Sequence, residues 1–275
     1  MNPKVPNILN LFLKAPVLKI TTEQYPFSNF ELLEEKISDS EFSFPTNLVL
    51  GMQAEACFEA ILKMSKKHEL LLANLQIHAS NTVNNQKETL GELDYIVKDL
   101  ITKEVSHIEL ACKFYLYDKN NSTSEEEKWI GPNRKDTLYD KLEKVKFKQF
   151  PLLHNPETIQ RLEDLNVEFP TSQKLCIKAF LFLPKEISSD SFPKNYTSCL
   201  VGHWIKHQDF NKEDKTAKYA IPTKKEWLLP IKTIEEWHTF SEIEKLINEQ
   251  VQNKKSPLIY KKTPHTMERF FVVWW

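Results

Sequence analysis

Residues 91–116 read GELDYIVKDLITKEVSHIELACKFYL. The run splits into two alternating patterns, GELDYIVKD and HIELACKFYL, joined by a short polar turn. Side chains alternate across a β-strand, so residues two apart line the same side. Glu92 and Asp94 therefore share one face of the first strand, and Glu109 and Lys113 share one face of the second. Leu93, Tyr95 and Val97 fall behind them with Ile108, Leu110, Cys112 and Phe114. Folded as a hairpin, the two strands set an acidic pair across from a carboxylate and an ammonium, which suits a divalent metal and a phosphate.

The flanking segments extend this into an α/β pattern. LGMQAEACFEAIL, within an expected helix over 50–68, has apolar residues at helical spacing, with Glu55 and Glu59 four apart on one face. LLLANLQIH (70–78) reads as a strand. After the hairpin, KNNSTSEEEK (119–128) has the composition of a solvated loop. A GPN turn then leads into NRKDTLYDKLEKVKFK, with Asn133 as the expected N-cap and Leu138, Leu142 and Val145 as an apolar stripe. CIKAFLFLP, closed by Pro184, is a further strand. From about residue 185 the chain turns rich in Trp and Lys, with a helical FSEIEKLINEQ and two late strands, SPLIYKK and RFFVVWW.

The helix glutamate, the GELD strand and the acid-then-lysine strand, in that order, resemble the PD-(D/E)XK nuclease superfamily. Its core is an αβββαβ layer, with an aspartate on the second strand and E-x-K on the third. The wider chain also resembles an uncharacterised bacterial domain-of-unknown-function family linked to that superfamily. The blocks shared with it are KAPVL, LG-x-x-x-E, GELD, HIELACKFYL, WIGPN-x-x-D-x-L-x-x-K-L, CIKAFLFLP and RFFVVWW. The resemblance implies a restriction-endonuclease-like core over residues 50–184, a central mixed sheet flanked by helices. Residues 1–49, punctuated by Pro26 and Pro45, would form an N-terminal wrap, and residues 185–275 a C-terminal elaboration packed on the core.

The implied activity is metal-dependent hydrolysis of nucleic-acid phosphodiester bonds, with DNA as the substrate by analogy. Mg²⁺ or Mn²⁺ would be held by Asp94, Glu109, Glu55 and Glu92, with Lys113, Asp94 and Glu109 as the catalytic group. The alternative is an inactive nuclease-fold protein that binds nucleic acid or a protein partner. One departure separates the two. The superfamily places its acid two residues before the lysine, about 6.6 Å along a strand, whereas Glu109 and Lys113 are four apart, about 13 Å. Ala111 occupies the intervening position. Either the lysine leans back, or a bulge shortens the gap, or Glu55 or Glu92 replaces the third-strand acid.

Composition narrows the classes. With 41% hydrophobic and 27% charged residues in 275, the chain reads as globular, and no apolar run reaches the roughly 18 residues of a membrane span. ILNLFLKAPVL is broken by Lys14 and Pro16 and has no small-residue cleavage site, so a cytoplasmic protein is expected. None of Cys57, Cys112, Cys176 and Cys199 belongs to a C-x-x-C pair, which argues against zinc and disulfides. The four glycines, at 51, 91, 131 and 202, form no phosphate loop, excluding P-loop and Rossmann enzymes; the first three open recognisable blocks. A net charge of −1 means that any nucleic-acid surface is local, drawn from lysines such as Lys141, Lys144 and Lys148 with Lys254 and Lys255.

Each candidate also has an ordinary reading. Glu92 and Asp94 suit the wet face of a hairpin, and Glu109 and Lys113 a charged outer face. Glu55 in early helical turns complements the helix dipole. Lys141, Lys144, Lys146 and Lys148 with Glu143 make a solvated helix face. Trp204, Trp227, Trp237, Trp274 and Trp275 pack inside or stack on bases. His107 is a face neighbour of Glu109, and Gln149 echoes the family without a mechanism that spacing supplies.

Overall fold

The two patterns of residues 91–116 form adjacent antiparallel strands, Tyr95 facing Ile108 and Lys98 facing Val105. The structure, a computed structural model, describes residues 7–20, 22–33, 35, 37, 42–79 and 88–275. Its first elements are α1 (Ile8–Lys14), β1 (Ser28–Asn29), α2 (Leu50–Met64), β2 (His68–His78), β3 (Thr89–Asp99), β4 (Val105–Tyr117), α3 (Glu125–Lys128) and β5 (Trp129–Ile130). Next come α4 (Leu138–Lys144), a π-helical turn (Val145–Gln149), α5 (Phe150–Leu152), α6 (Pro156–Asp164) and β6 (Ser172–Pro184). The chain closes with α7 (Lys194–Thr197), β7 (Leu200–Lys206), β8 (Lys218–Ala220), α8 (Phe240–Gln252), β9 (Leu258–Lys262) and β10 (Met267–Val273).

Among the described residues the strands make one mixed ten-stranded sheet, ordered β2-β3-β4-β6-β7-β10-β9-β8, with β1 on β6 and β5 on β4. β4 and β6 run parallel in an unbroken register from Ser106 opposite Ser172 to Leu116 opposite Phe182. β6 is buried over its last ten residues, Leu175–Pro184, as a strand covered on both faces must be. Its far edge takes β7 in parallel, and β7 takes β10. The region after 185 thus joins the core by extending its sheet. The continuous apolar run of β6 is the mark of a central strand, which leaves its second edge for pairing.

Helices cover both faces. On one, α1 and α2 pack Phe12, Phe58, Ile61 and Leu62 against Tyr95, Val97, Ile108 and Leu110. On the other, Leu138, Leu142 and Val145 meet Ala111, Tyr115 and Ile177, while Leu152 and Leu162 meet Ile96 and Val105. α8 covers β9 and β10 through Ile243 and Ile247. The N-terminal wrap is more regular than expected, since α1 and β1 lie within it and the fully buried Lys178 donates to the Leu13 and Ala15 carbonyls at the end of α1. Residues 1–6, 21, 34, 36 and 38–41 of that wrap lie outside the described residues.

Two helix boundaries differ from expectation. α2 stops at Met64 because Ser65 Oγ accepts from the Lys67 and His68 amides and turns the chain into β2. The second core helix starts at Leu138: Thr137 and Asp140 form a reciprocal capping box, and Asn133 accepts from the Ser256 amide instead. T-x-x-D was the readable signal. Gly51, which opens a block, faces open space, whereas a side chain on Gly202, which opens none, would meet the Arg269 carbonyl at 2.3 Å. The close β7–β10 approach requires the latter.

Candidate active site

A divergence between strands creates the site. β3 stays with β2 as far as Thr89 but pairs with β4 only at Tyr95–Lys98. β5 rejoins β4 at Leu116 and Tyr117. The β4 edge from Glu109 to Tyr115 is therefore outside both ladders. Asp94 sits at the fork and accepts the Leu110 amide through Oδ2 at 2.9 Å, standing in for the strand that has turned away. The fork opens into a cleft of about 680 Å³ between α2 and α4.

Glu109 projects to the α4 side and is fully buried. Its ordinary reading, a charged outer face, does not hold, because its face neighbours Ala111 and Tyr115 demand an apolar cover and α4 supplies one. Glu109 is held from two sides. His107 Nε2 lies 3.1 Å from Oε1, and the Gln149 amide donates to Oε2. Gln173 Nε2 lies 3.1 Å from His107 Nδ1 and also donates to the Phe150 carbonyl, so the imidazole accepts at Nδ1 and donates to Glu109 from Nε2. Gln149 Oε1 in turn accepts from Lys141 Nζ at 2.9 Å. The π-helical turn delivers Gln149 to this position. Pro151 has no N–H for an ordinary helical bond, and the preceding turn is widened. Gly91 lets the structure close here, as a side chain on it would meet Leu152 Cδ2 at 2.7 Å.

Asp94 and Glu109 are in hydrogen-bonding contact, and burial first, then the charge of Glu109, pushes Asp94 up to about 7. Burial also raises Glu109 to about 7, against the pull of Lys141. Such a pair titrates as a unit, holding one proton near neutrality. Burial lowers His107 to about 4, so it is neutral at pH 7. Lys141, half-buried on α4, is lowered by desolvation despite both carboxylates. A carboxyl raised in the native state binds more protons there than when unfolded. Its contribution is thus full below about 4 and is lost as pH rises through about 7. The stability difference between Asp94→Asn and the parent is therefore expected to shift in favour of the variant by about 1–2 kcal/mol between pH 5 and pH 8. Urea unfolding at both pH values measures it; a difference independent of pH contradicts the shared proton.

Lys113 shares the face of Glu109 but turns away from it, donating to Asp136 at 2.7 Å. The unbroken β4–β6 register leaves no bulge to shorten the four-residue gap. The lysine beside the carboxylates is Lys141. It follows Leu138 by three residues and so lies with the inward stripe of α4, a helical position that the solvated-face reading overlooked. Glu55 reaches the cleft from α2, on the opposite side of the sheet, and is raised by burial, then by the charges of Asp94 and Glu92. Glu92 stays on β3 opposite Gln76.

Five lysines (Lys113, Lys141, Lys144, Lys224, Lys225) and three carboxylates (Glu55, Asp136, Asp140) line the cleft. Asp136 pairs with Lys113 and Asp140 caps α4 through Thr137, and five lysines against three carboxylates leave the lining locally positive. Lys148, Lys254 and Lys255 are not part of it. Trp227 lines the cleft but is buried, its ring 4.9 Å from that of Phe114. Among the described residues no three His, Cys, Asp or Glu side chains form a metal-holding group. Asp94 and Glu109 offer two adjacent hard oxygen donors, a set that suits Mg²⁺ or Mn²⁺ when waters and a substrate phosphate complete the shell.

Residues 20–273 match the model of a family described as Domain of unknown function (DUF1853). No curated protein and no solved structure matches the chain.

Proposed function

From the premise that the chain belongs to the DUF1853 family, we propose that its cleft hydrolyses phosphodiester bonds of nucleic acid, DNA by analogy, with Mg²⁺ or Mn²⁺. The observation that carries this is the coupled Asp94–Glu109 pair, Glu109 buried and Asp94 half-buried, next to a lysine-lined cleft whose wall holds Leu110, Ala111 and Lys141. The forked β3–β4 edge between two helical layers supports a PD-(D/E)XK-like core over residues 50–184. Asp94 and Glu109 would hold the cation, with Glu55 adding negative potential from the cleft wall and Glu92 from β3. When bound, the cation supplies charge neutralisation at the phosphoryl oxygens and acidifies a coordinated water.

Lys141 places an ammonium beside the pair, where it offsets charge building on phosphorus, and Gln149 keeps it there. His107 and Gln149 fix the Glu109 carboxylate so that its free lone pairs face a single direction. Lys144, Lys224 and Lys225 bind the flanking phosphates, with Lys113 held in reserve by Asp136.

Ala111 at the position of the superfamily's acid, together with the Lys113–Asp136 pair, favours a second reading in which the cleft binds nucleic acid without cutting it. One titration addresses both. Affinity for a labelled oligonucleotide is expected to fall steeply with salt, and Lys144→Glu combined with Lys224→Glu to weaken it by roughly tenfold or more and flatten the salt slope. Cleavage in Mg²⁺ or Mn²⁺ supports the enzyme. Salt-dependent binding without cleavage selects the second reading, and undetectable binding at low ionic strength removes both.

A further inference from the structure

A second cavity, of about 660 Å³, lies between α1, β7 and residues 227–231, with apolar walls that include Phe12, Val201, Leu228 and Ile231. Arg269 lines it, half-buried, its Nε donating to the Val201 carbonyl at 3.1 Å and its guanidinium 5.6 Å from the centre of the Phe180 ring. Glu268 beside it pairs with Lys261 at 3.0 Å, and among the described residues no carboxylate pairs with Arg269. The guanidinium also hydrogen-bonds Tyr260, so what it lacks is an anion, while two atoms of lining residues have no hydrogen-bond partner: buried His203 Nε2, whose ring stacks on Phe270 at 5.0 Å, and buried Trp227 Nε1.

A buried N–H without an acceptor and a desolvated guanidinium without an anion each cost free energy. The Trp227 N–H and the Arg269 guanidinium around one apolar space, with the His203 imidazole beside them, point to a ligand with an anionic, hydrogen-bond-accepting head and a hydrocarbon body. We propose that this cavity binds an amphipathic carboxylate, a medium-chain fatty acid whose head meets Arg269 and whose chain lies along Phe12, Val201 and Leu228. A single guanidinium fork matches one planar carboxylate in bidentate geometry. A phosphate monoester would bring a second negative charge into the apolar wall, with only the exposed Lys14 in the lining left to meet it.

Isothermal titration of the full chain with decanoate, decanol and decyl phosphate tests this. Decanoate is expected to bind one-to-one and roughly tenfold or more tighter than decanol, with decyl phosphate weaker. Arg269→Gln should remove the preference for decanoate over decanol. Leu11→Glu, at a residue of the same lining that is 44% exposed, adds a repelling charge without touching the packed interior and should weaken decanoate more than decanol. If Arg269→Gln does not fold, Leu11→Glu decides. Equal affinity for decanoate and decanol, tighter binding of decyl phosphate, or unchanged decanoate affinity in the folded variants overturns the proposal.

Discussion

Asp94→Asn is expected to lower Mg²⁺- or Mn²⁺-dependent cleavage of DNA by on the order of 10³-fold while leaving the protein folded. Asparagine keeps the shape and can still accept the Leu110 amide, so the forked strand edge is preserved. What it loses is the negative charge that, with Glu109, would draw a cation into the fork. Because the same substitution relieves the repulsion between the half-buried Asp94 and the buried Glu109 carboxyls, lost activity should accompany equal or greater stability at pH 8. That combination separates a functional role from a collapsed fold. Cleavage retained in Asp94→Asn, under conditions where the parent cuts, would remove the pair from the mechanism.

The second large effect concerns which lysine acts. Lys141→Met is expected to cut turnover by about 10²-fold with little change in KM, the pattern of a group that works mainly in the transition state. Methionine fills the half-buried stem position, so packing beneath Leu138 and Leu142 is kept. Lys113→Met should cost less, on the order of fivefold, since Lys113 is already engaged by Asp136 and stands about 13 Å along the strand from Glu109. Single-turnover kinetics on both variants makes the comparison. A larger loss at Lys113 would mean that substrate breaks the Asp136 pair and draws this lysine to the phosphate, restoring the role that the superfamily resemblance implies.

Much of the frame was readable in advance. The alternation in GELDYIVKD and HIELACKFYL placed Asp94, Glu109 and Lys113 on one face of adjacent strands, and the apolar residues behind them meet α2 as the pattern requires. The stripe Leu138, Leu142 and Val145 is the inward side of the second core helix. Periodicity carries this information because burial repeats with the backbone's own period. Other features left weaker traces. Lys141 sits at a core-facing helical spacing, and a charge there is a sign of a buried partner. His107, read only as a face neighbour of Glu109, and Gln149, read without a mechanism, are the two side chains that donate to Glu109.

The chain's own order of residues thus determined β2, β3, β4, β6, β9 and β10, the helices α2, α4 and α8 within a few residues, and the mixed α/β class, all of which follow from local periodicity and capping chemistry. Only the tertiary structure decided that β3 joins β4 no earlier than Tyr95, that the C-terminal strands prolong the sheet, and that Lys113 goes to Asp136 while Lys141 takes the place beside the carboxylates. Those outcomes depend on which edges remain free and which charges meet across long separations in sequence. A strand's pattern specifies what it buries, but its pairing length and the partner of a buried charge are set by competition among all the surfaces that pack against it.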